Sequence, residues 1–202
     1  MLKTHLHKST FDREKRLINH NKLAWLFLLV CIVLSLDLSK VYAQQASLDY
    51  QVKAAMAYKF LGYSEWPEKR FNDSHSPYRI WVLGSADIKN ELQNIVAHRI
   101  INGRSIEVYS ATAVDQIDNA HIVFVARDME ALLPKLAMRA EKNSYLIVTE
   151  NEQGLVSGST INLRLVDGRI GFDISLKCAQ TYGITLSSRL LPIAVSIEEG
   201  NR

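Results

Sequence analysis

The sequence predicts an α/β protein: a single-domain layered sandwich with a mixed, mostly parallel sheet flanked by helices and a C-terminal antiparallel hairpin. Short apolar runs alternate with amphipathic helical segments through the middle of the chain, an order typical of α/β layer structures. Near the C terminus, two segments of period-2 alternation are joined by Asp167-Gly168. This is a strong hairpin signal, because a type I′ turn needs positive φ at both central residues. No repeat, low-complexity segment or composition break indicates a second folded domain.

The first 43 residues have the layout of a secretory signal peptide. Residues 1–22 are polar and basic, residues 23–38 are nearly continuously apolar, and Val41-Tyr42-Ala43 places small residues at the −3 and −1 positions. The apolar core is too short and too poorly flanked for a stable membrane span, although an uncleaved N-terminal anchor is the alternative. We therefore predict cleavage near Ala43, export, and a folded domain at 44–202.

Removing this leader changes the charge of the protein. Residues 1–43 hold seven of the 24 Lys and Arg residues and three of the 21 Asp and Glu residues, so the remainder has 17 basic and 18 acidic residues, a net charge near −1. The basic residues that remain are scattered, without aromatic interleaving. The sequence therefore indicates no nucleic-acid partner and no membrane-surface patch.

The first predicted helix covers residues 45–63. It ends before Trp66-Pro67, because the residue before a proline is driven out of the helical conformation. Its predicted inner face recurs at three- and four-residue steps. The residues of that face are Val52, Ala55, Met56, Phe60 and Tyr63.

Four apolar runs predict the parallel strands: RIWVLG at 79–84, then 105–109, AHIVFVA at 120–126 and SYLIVT at 144–149. The last two are apolar almost throughout, as expected for strands covered on both faces. Helices with apolar residues at helical spacing separate them: Ile88, Leu92, Ile95 and Val96 in one, and Leu132, Leu133 and Leu136 in the helix predicted at 129–140.

A loop at 150–157 leads into the hairpin, whose strands alternate strictly. The alternating apolar residues are Ile161, Leu163, Leu165, Ile170, Phe172 and Ile174. After Ser175 the period changes to that of a short helix, which stops at Gly183, where a residue enters the left-handed region without a Cβ penalty. An amphipathic segment at 187–195 closes the domain.

We find no constellation of catalytic residues in the sequence. None of His75, His98 and His121 has a ligand partner at i+2 to i+4, so no metal is expected. There is no G-x-S-x-G elbow, and the glycine that ends the first strand lacks the rest of a dinucleotide fingerprint. We predict a non-enzymatic protein without a cofactor. An enzyme of unrecognised type is an open alternative.

Only Cys178 remains after the leader is removed, so the exported chain can form no internal disulfide. Its apolar neighbours in a helical segment predict a small buried hydrophobic residue. A redox-active or dimer-bridging thiol is the alternative.

Three stretches together resemble the YfiR family of periplasmic proteins, which carries the DUF4154 domain: VKAAMAYKFLGYSEWP, RIWVLG and GSTINLRLVDGRIGFDISLKCAQTYGITLSSRLLPIA. They cover nearly all of the mature chain in the family's order and spacing. The resemblance implies a protein without enzymatic activity that binds the periplasmic sensor domain of an inner-membrane GGDEF-domain diguanylate cyclase and represses cyclic di-GMP synthesis. It also implies a homodimer and an outer-membrane lipoprotein that sequesters the repressor.

The same resemblance implies candidate site residues. The family's partner-binding surface corresponds to the hairpin and the helix after it, with Ile161, Asp173 and Ala179 as the matching positions. An exposed hairpin edge, with an apolar residue beside one acid, suits such a contact. The alternative is that Ile161 and Ala179 are core residues and that Asp173 is only solvated. A small-ligand cleft is implied at Arg70, Ser187 and Arg189.

The chain also departs from the family. The best-known family member, which otherwise resembles this chain, has cysteines at the positions of Trp81 and Ala120, on strands predicted to be neighbours. We expect this large and this small apolar residue together to keep the volume of a core pair. The second disulfide of that member is absent too, so its redox sensitivity is not expected here. A periplasmic small-molecule-binding accessory protein of another envelope system is the alternative function, with the aromatic first helix and Arg189 forming its pocket.

Overall fold

The computed structural model describes residues 47–151 and 153–200. The predicted signal peptide and its cleavage near Ala43 lie outside this range. Within it, the chain has no helix long and apolar enough to cross a membrane.

The described residues form four α-helices and nine strands. The helices are α1 (47–62), α2 (Ala86–Val96), α3 (Leu133–Asn143) and α4 (Leu176–Thr181). The strands are β1 (Ser64–Glu65), β2 (Tyr78–Leu83), β3 (Ile106–Ala111), β4 (Ile122–Val125), β5 (Leu146–Thr149), β6 (Ile161–Val166), β7 (Arg169–Ser175), β8 (Thr185–Leu186) and β9 (Ser196–Glu198).

Seven of the strands form one sheet in the order β3-β2-β4-β5-β6-β7-β9, while β1 and β8 pair separately as an antiparallel ribbon. The strands β3, β2, β4, β5 and β6 are parallel neighbours, β6 and β7 are antiparallel, and β9 joins β7 in parallel. All residues of β4 and β5 are buried, which agrees with their continuous apolar sequence. The predicted fold class, a mixed and mostly parallel sheet flanked by helices, is confirmed.

The helix starts follow from local side chains. Ser85 and Ser175 precede α2 and α4, and their hydroxyl groups accept hydrogen bonds from the backbone N–H groups of Ile88 and Cys178. The helix predicted at 129–140 begins later than expected, because a 3-10 segment occupies Arg127–Leu132 and α3 starts with a proline in its first turn.

The buried face of α1 differs from the predicted one. The fully buried residues are Ala54, Ala57, Phe60 and Leu61, whereas Val52, Ala55, Met56 and Tyr63 are only half-buried. Two alanines at three-residue spacing let the helix backbone lie close to the core. The larger apolar side chains are therefore displaced to the side of the helix.

The hairpin has the predicted turn, with φ values of 48° at Asp167 and 75° at Gly168. Its outer edge, however, is not open as expected. The strand β9 pairs with residues 173–175 of β7, and the Val195 N–H donates to the Phe172 carbonyl at 2.8 Å. The edge of the sheet is β9, and β7 is uncovered only toward the turn.

Trp81 and Ala120 do not form the expected core pair. In the parallel register of β2 and β4, Trp81 lies opposite Val123, and Ala120 precedes β4. The Trp81 ring instead stacks on Tyr109 at 4.9 Å, and its indole N–H donates to the Asp118 carbonyl at 2.9 Å. Trp81 and Ala120 therefore pack in separate surroundings and are not strand partners.

Candidate functional site

The C-terminal segment exposes apolar side chains beside an apolar groove. Ile193, Val195 and Ile197 are all exposed, Ile193 by 62%, and we call these three residues the C-terminal apolar surface. The groove has a volume of about 350 Å³ between α1 and this segment. It is lined by Val52, Ala55, Met56, Lys59, Phe60, Tyr63, Phe172, Leu190 and Ile193.

Phe60 and Phe172 form the floor of this groove. Their rings meet edge to face at 5.3 Å between centroids, the geometry that aromatic pairs favour. Phe172 therefore fastens α1 to the hairpin. The half-buried apolar side chains of α1 line the rest of the groove: Val52, Ala55, Met56 and Tyr63.

A second, polar cleft lies where the parallel strands end. It follows the last residues of β4 and β5 and runs along β6, with a volume of about 400 Å³. Carboxyl ends of parallel strands are the usual place for ligands in α/β sheets. Its lining residues are Arg127, Glu150, Asn151, Asn162, Leu163, Arg164, Leu165 and Asp173.

A buried polar network supports this cleft. The Thr149 hydroxyl donates to Asn162 Oδ1 at 2.8 Å, and the backbone N–H of Asn151 donates to the same oxygen at 3.1 Å. The loop after β5 folds over the pair. A Cβ at Gly154 would lie 2.5 Å from Asn162 Oδ1 and still closer to Thr149 Oγ1. The loop can therefore pack this closely on the network only because position 154 is a glycine.

We expect Gly154→Ala to lower the free energy of unfolding by about 1–3 kcal/mol, because the added methyl group overpacks a buried network. Gly62→Ala is the matched control, since a Cβ there meets nothing within 4 Å and Gly62 does not have a positive φ. The control should be neutral or slightly stabilising. Urea denaturation of both variants measures the difference, and equal stabilities would contradict the packing argument.

His121 occupies a third site, in an aromatic cluster. Its side chain is 2% exposed, stacks on Phe71 at 4.8 Å, and meets Trp66 and Tyr78 edge to face. Its Nδ1 accepts a hydrogen bond from the Arg79 backbone N–H at 3.1 Å, while its Nε2 has no partner among the described residues. Burial lowers the pKa of His121 to about 3, and neighbouring arginines add to the effect. The ring is therefore neutral.

Residues 50–195 match the family model described as YfiR/HmsC-like. The chain belongs to the YfiR/HmsC-like family.

The chain has only low similarity to other known proteins. No curated protein matches. A conserved domain protein from Vibrio cholerae O1 biovar El Tor is 12% identical, with a TM-score of 0.46 over 59% of this chain and 54% of that one. The ABC domain in complex with L-Trp from Streptococcus pneumoniae is 14% identical, with a TM-score of 0.43 over 59% and 55%. The chain thus covers about half the length of these structures.

The structure buries all three residues that the YfiR resemblance assigns to partner binding. Ile161 is 0% exposed, Ala179 3% and Asp173 7%. Asp173 accepts hydrogen bonds from Arg164 Nε at 2.6 Å and from the Ser196 hydroxyl at 2.7 Å, so this carboxylate joins β6, β7 and β9. The three side chains hold the hairpin, α4 and β9 in place and do not project from the surface.

The ligand residues implied by the family follow the strands of the β1–β8 ribbon along the chain: Arg70 comes after β1, and Ser187 and Arg189 come after β8. Arg70 donates to the Ala120 carbonyl at 2.8 Å, and its pKa is lowered chiefly by burial. The Ser187 N–H donates to the Tyr63 carbonyl, and Arg189 is exposed. None of the three residues lines the groove or the polar cleft described above.

Cys178 is half-buried and carries a free thiol that packs against the core. Across the described residues, no group of three or more His, Cys, Asp and Glu side chains could hold a metal ion.

Proposed function

We propose that this YfiR/HmsC-like protein binds the periplasmic sensor domain of an inner-membrane GGDEF-domain diguanylate cyclase and represses cyclic di-GMP synthesis. The observation that carries the proposal is the family match over residues 50–195. Repression by binding requires that the protein prefer the inactive state of the cyclase, because a ligand shifts an equilibrium only through differential affinity.

The C-terminal apolar surface supports a protein partner. Its three residues alternate along the last ten described positions, and β9 presents the outer edge of the seven-stranded sheet. Exposed apolar side chains beside an open strand edge suit association with another protein. We therefore place the partner contact at β9 and the adjoining groove.

Ile161, Asp173 and Ala179 have a supporting role in this proposal. Because they are buried, a partner would contact the strands and helix that they hold in place. Replacing Asp173 by lysine would break the contacts to Arg164 and Ser196 and so loosen β9. Loss of repression in that variant would need a measurement of folding before it could be assigned to the partner surface.

An exposed residue gives the sharper test. We expect Ile193→Asp to weaken repression and raise cellular cyclic di-GMP several-fold in a strain that expresses the cognate cyclase, because a charge would replace an apolar contact at the interface. The cyclic di-GMP level, the amount of exported protein and the Tm are measured together.

Met138→Asp is the matched control, since Met138 is also 62% exposed and lies on α3. It should leave cyclic di-GMP at the wild-type level. If Ile193→Asp is exported, folded and fully repressing, the proposed surface is wrong. If deletion of the whole chain leaves cyclic di-GMP unchanged, the proposed function is wrong.

The family resemblance also supports a homodimer and sequestration by an outer-membrane lipoprotein. In-cell crosslinking from position 197 tests both, because Ile197 lies on the open edge of β9. We expect products with the mass of two copies or of one copy plus an envelope protein.

A small-molecule-binding accessory role in another envelope system is the second candidate. The apolar groove favours it, because a concave, aromatic-lined site is the usual form of a small-ligand pocket. Thermal-shift screening with aromatic amino acids and nucleotides distinguishes it from the first proposal.

A further inference from the structure

The polar cleft at the ends of β4 and β5 contains a buried side-chain amide that the described residues leave without a hydrogen-bond partner. The Asn151 side chain lines the cleft and is 5% exposed, yet neither its Oδ1 nor its Nδ2 has a hydrogen-bond partner among the described residues. A buried polar group without a hydrogen-bond partner destabilises the folded protein. An amide that presents a free donor and a free acceptor side by side is complementary to another amide.

The adjoining strand also offers backbone groups. The register pairs β5 with β6 only at Val148–Ile161 and Thr149–Asn162, whereas β6 continues to Val166. Beyond Asn162, the side of β6 that faces the cleft has no strand partner within the described part of the chain. An extended peptide can add to such an edge through main-chain hydrogen bonds.

The charged residues that line the cleft are two arginines and two acids: Arg127, Arg164, Glu150 and Asp173. The carboxylate of Glu150 is paired with Lys53, and that of Asp173 with Arg164. Arg127 makes one long contact, 3.4 Å to the Glu150 carbonyl oxygen, and has no carboxylate partner among the described residues. Its guanidinium group is therefore available for a carboxylate, which it can bind through two parallel hydrogen bonds.

We propose that this cleft binds a short peptide-like ligand with a free carboxylate. Asn151 pairs with an amide group of the ligand, Arg127 binds its carboxylate, and the ligand backbone runs along the uncovered edge of β6. The proposal does not depend on the diguanylate cyclase partner, because the cleft shares no lining residue with the groove or with the C-terminal apolar surface.

NMR titration of the ¹⁵N-labelled mature protein tests the site with three probes. N-acetyl-Ala-Ala carries both amides and carboxylate, its C-terminal amide lacks the carboxylate, and acetate lacks the amides. We expect N-acetyl-Ala-Ala to shift the Asn151 side-chain signals saturably, with a Kd on the order of 1 mM for a ligand of this size. The other two probes should each bind at least about tenfold more weakly than N-acetyl-Ala-Ala.

Variants separate specific binding from a general effect. Asn151→Leu and Arg127→Gln should each weaken binding of N-acetyl-Ala-Ala about tenfold. Arg99→Gln, at an exposed arginine outside the cleft, should leave it unchanged. Asn151→Asp keeps the side-chain size and removes the donor, so it replaces Asn151→Leu if that variant does not fold.

Three results would overturn the proposal: no saturable shift at Asn151, equal affinity for the carboxylate and its amide, or affinity unchanged in both cleft variants. The comparison of probes uses the wild-type protein alone and so gives a result whatever the variants do. The titration does not measure repression of a cyclase. A negative result would therefore contradict peptide binding in the cleft but leave the proposed function untouched.

Discussion

Replacement of Phe172 by alanine should lower the free energy of unfolding by about 3–5 kcal/mol, the cost of removing a buried phenylalanine. Phe172 is buried and its ring meets Phe60, so the truncation leaves a cavity between α1 and the hairpin. Urea denaturation followed by circular dichroism measures the change.

Leu165→Ala is the control for this prediction. Leu165 lies on the same hairpin but is exposed, so its truncation should cost less than about 0.5 kcal/mol. A loss below 1 kcal/mol for Phe172→Ala would mean that α1 is not fastened through this ring pair.

Acid should destabilise the protein through His121. The pKa of this ring is about 3 in the folded state and near 6.5 when unfolded, so below pH 6.5 only the unfolded chain binds the proton. The stability contributed by neutral His121 is complete above pH 6.5 and is lost toward pH 3 at about 1.4 kcal/mol per pH unit. Between pH 7 and pH 5 the loss is about 2 kcal/mol.

Comparison of wild type with His121→Asn isolates this effect. The asparagine side chain retains an acceptor for the Arg79 N–H but does not titrate, so the variant should be less stable at pH 7 and lose less stability by pH 5. His98→Asn, at an exposed histidine with a φ of 62° that asparagine tolerates, should follow the wild type. Parallel pH profiles for wild type and His121→Asn would contradict the proposed cause.

The parts of the fold that depend on local chemistry could be predicted from the sequence. Asp167-Gly168 specifies a turn by its backbone requirements, and the apolar runs of β4 and β5 specify strands covered on both faces. The face of α1 could not be predicted in this way. A count of apolar residues favours large side chains, whereas Ala54 and Ala57 are buried because they are small.

The strand β9 and the polar cleft depend on tertiary pairing. Ser196–Glu198 is too short for an alternating pattern, and it becomes a strand only because β7 offers an edge. Arg127, Asn151 and Arg164 come from three segments that the β4–β5–β6 order brings together, and no spacing in the sequence marks them as a set. His121 is similar, because the aromatic rings around it come from separate parts of the chain.

The β1–β8 ribbon has a consequence for the order of folding. Ser64 pairs with Leu186, and α1 borders its groove with Leu190 and Ile193, so the first helix contacts residues from the far end of the domain. Contacts this distant in sequence form slowly, because a long loop must close before they contribute. During synthesis, α1 can therefore make these contacts only after the last part of the chain has been added. In refolding experiments we expect α1 to be among the final elements to gain protection from hydrogen exchange.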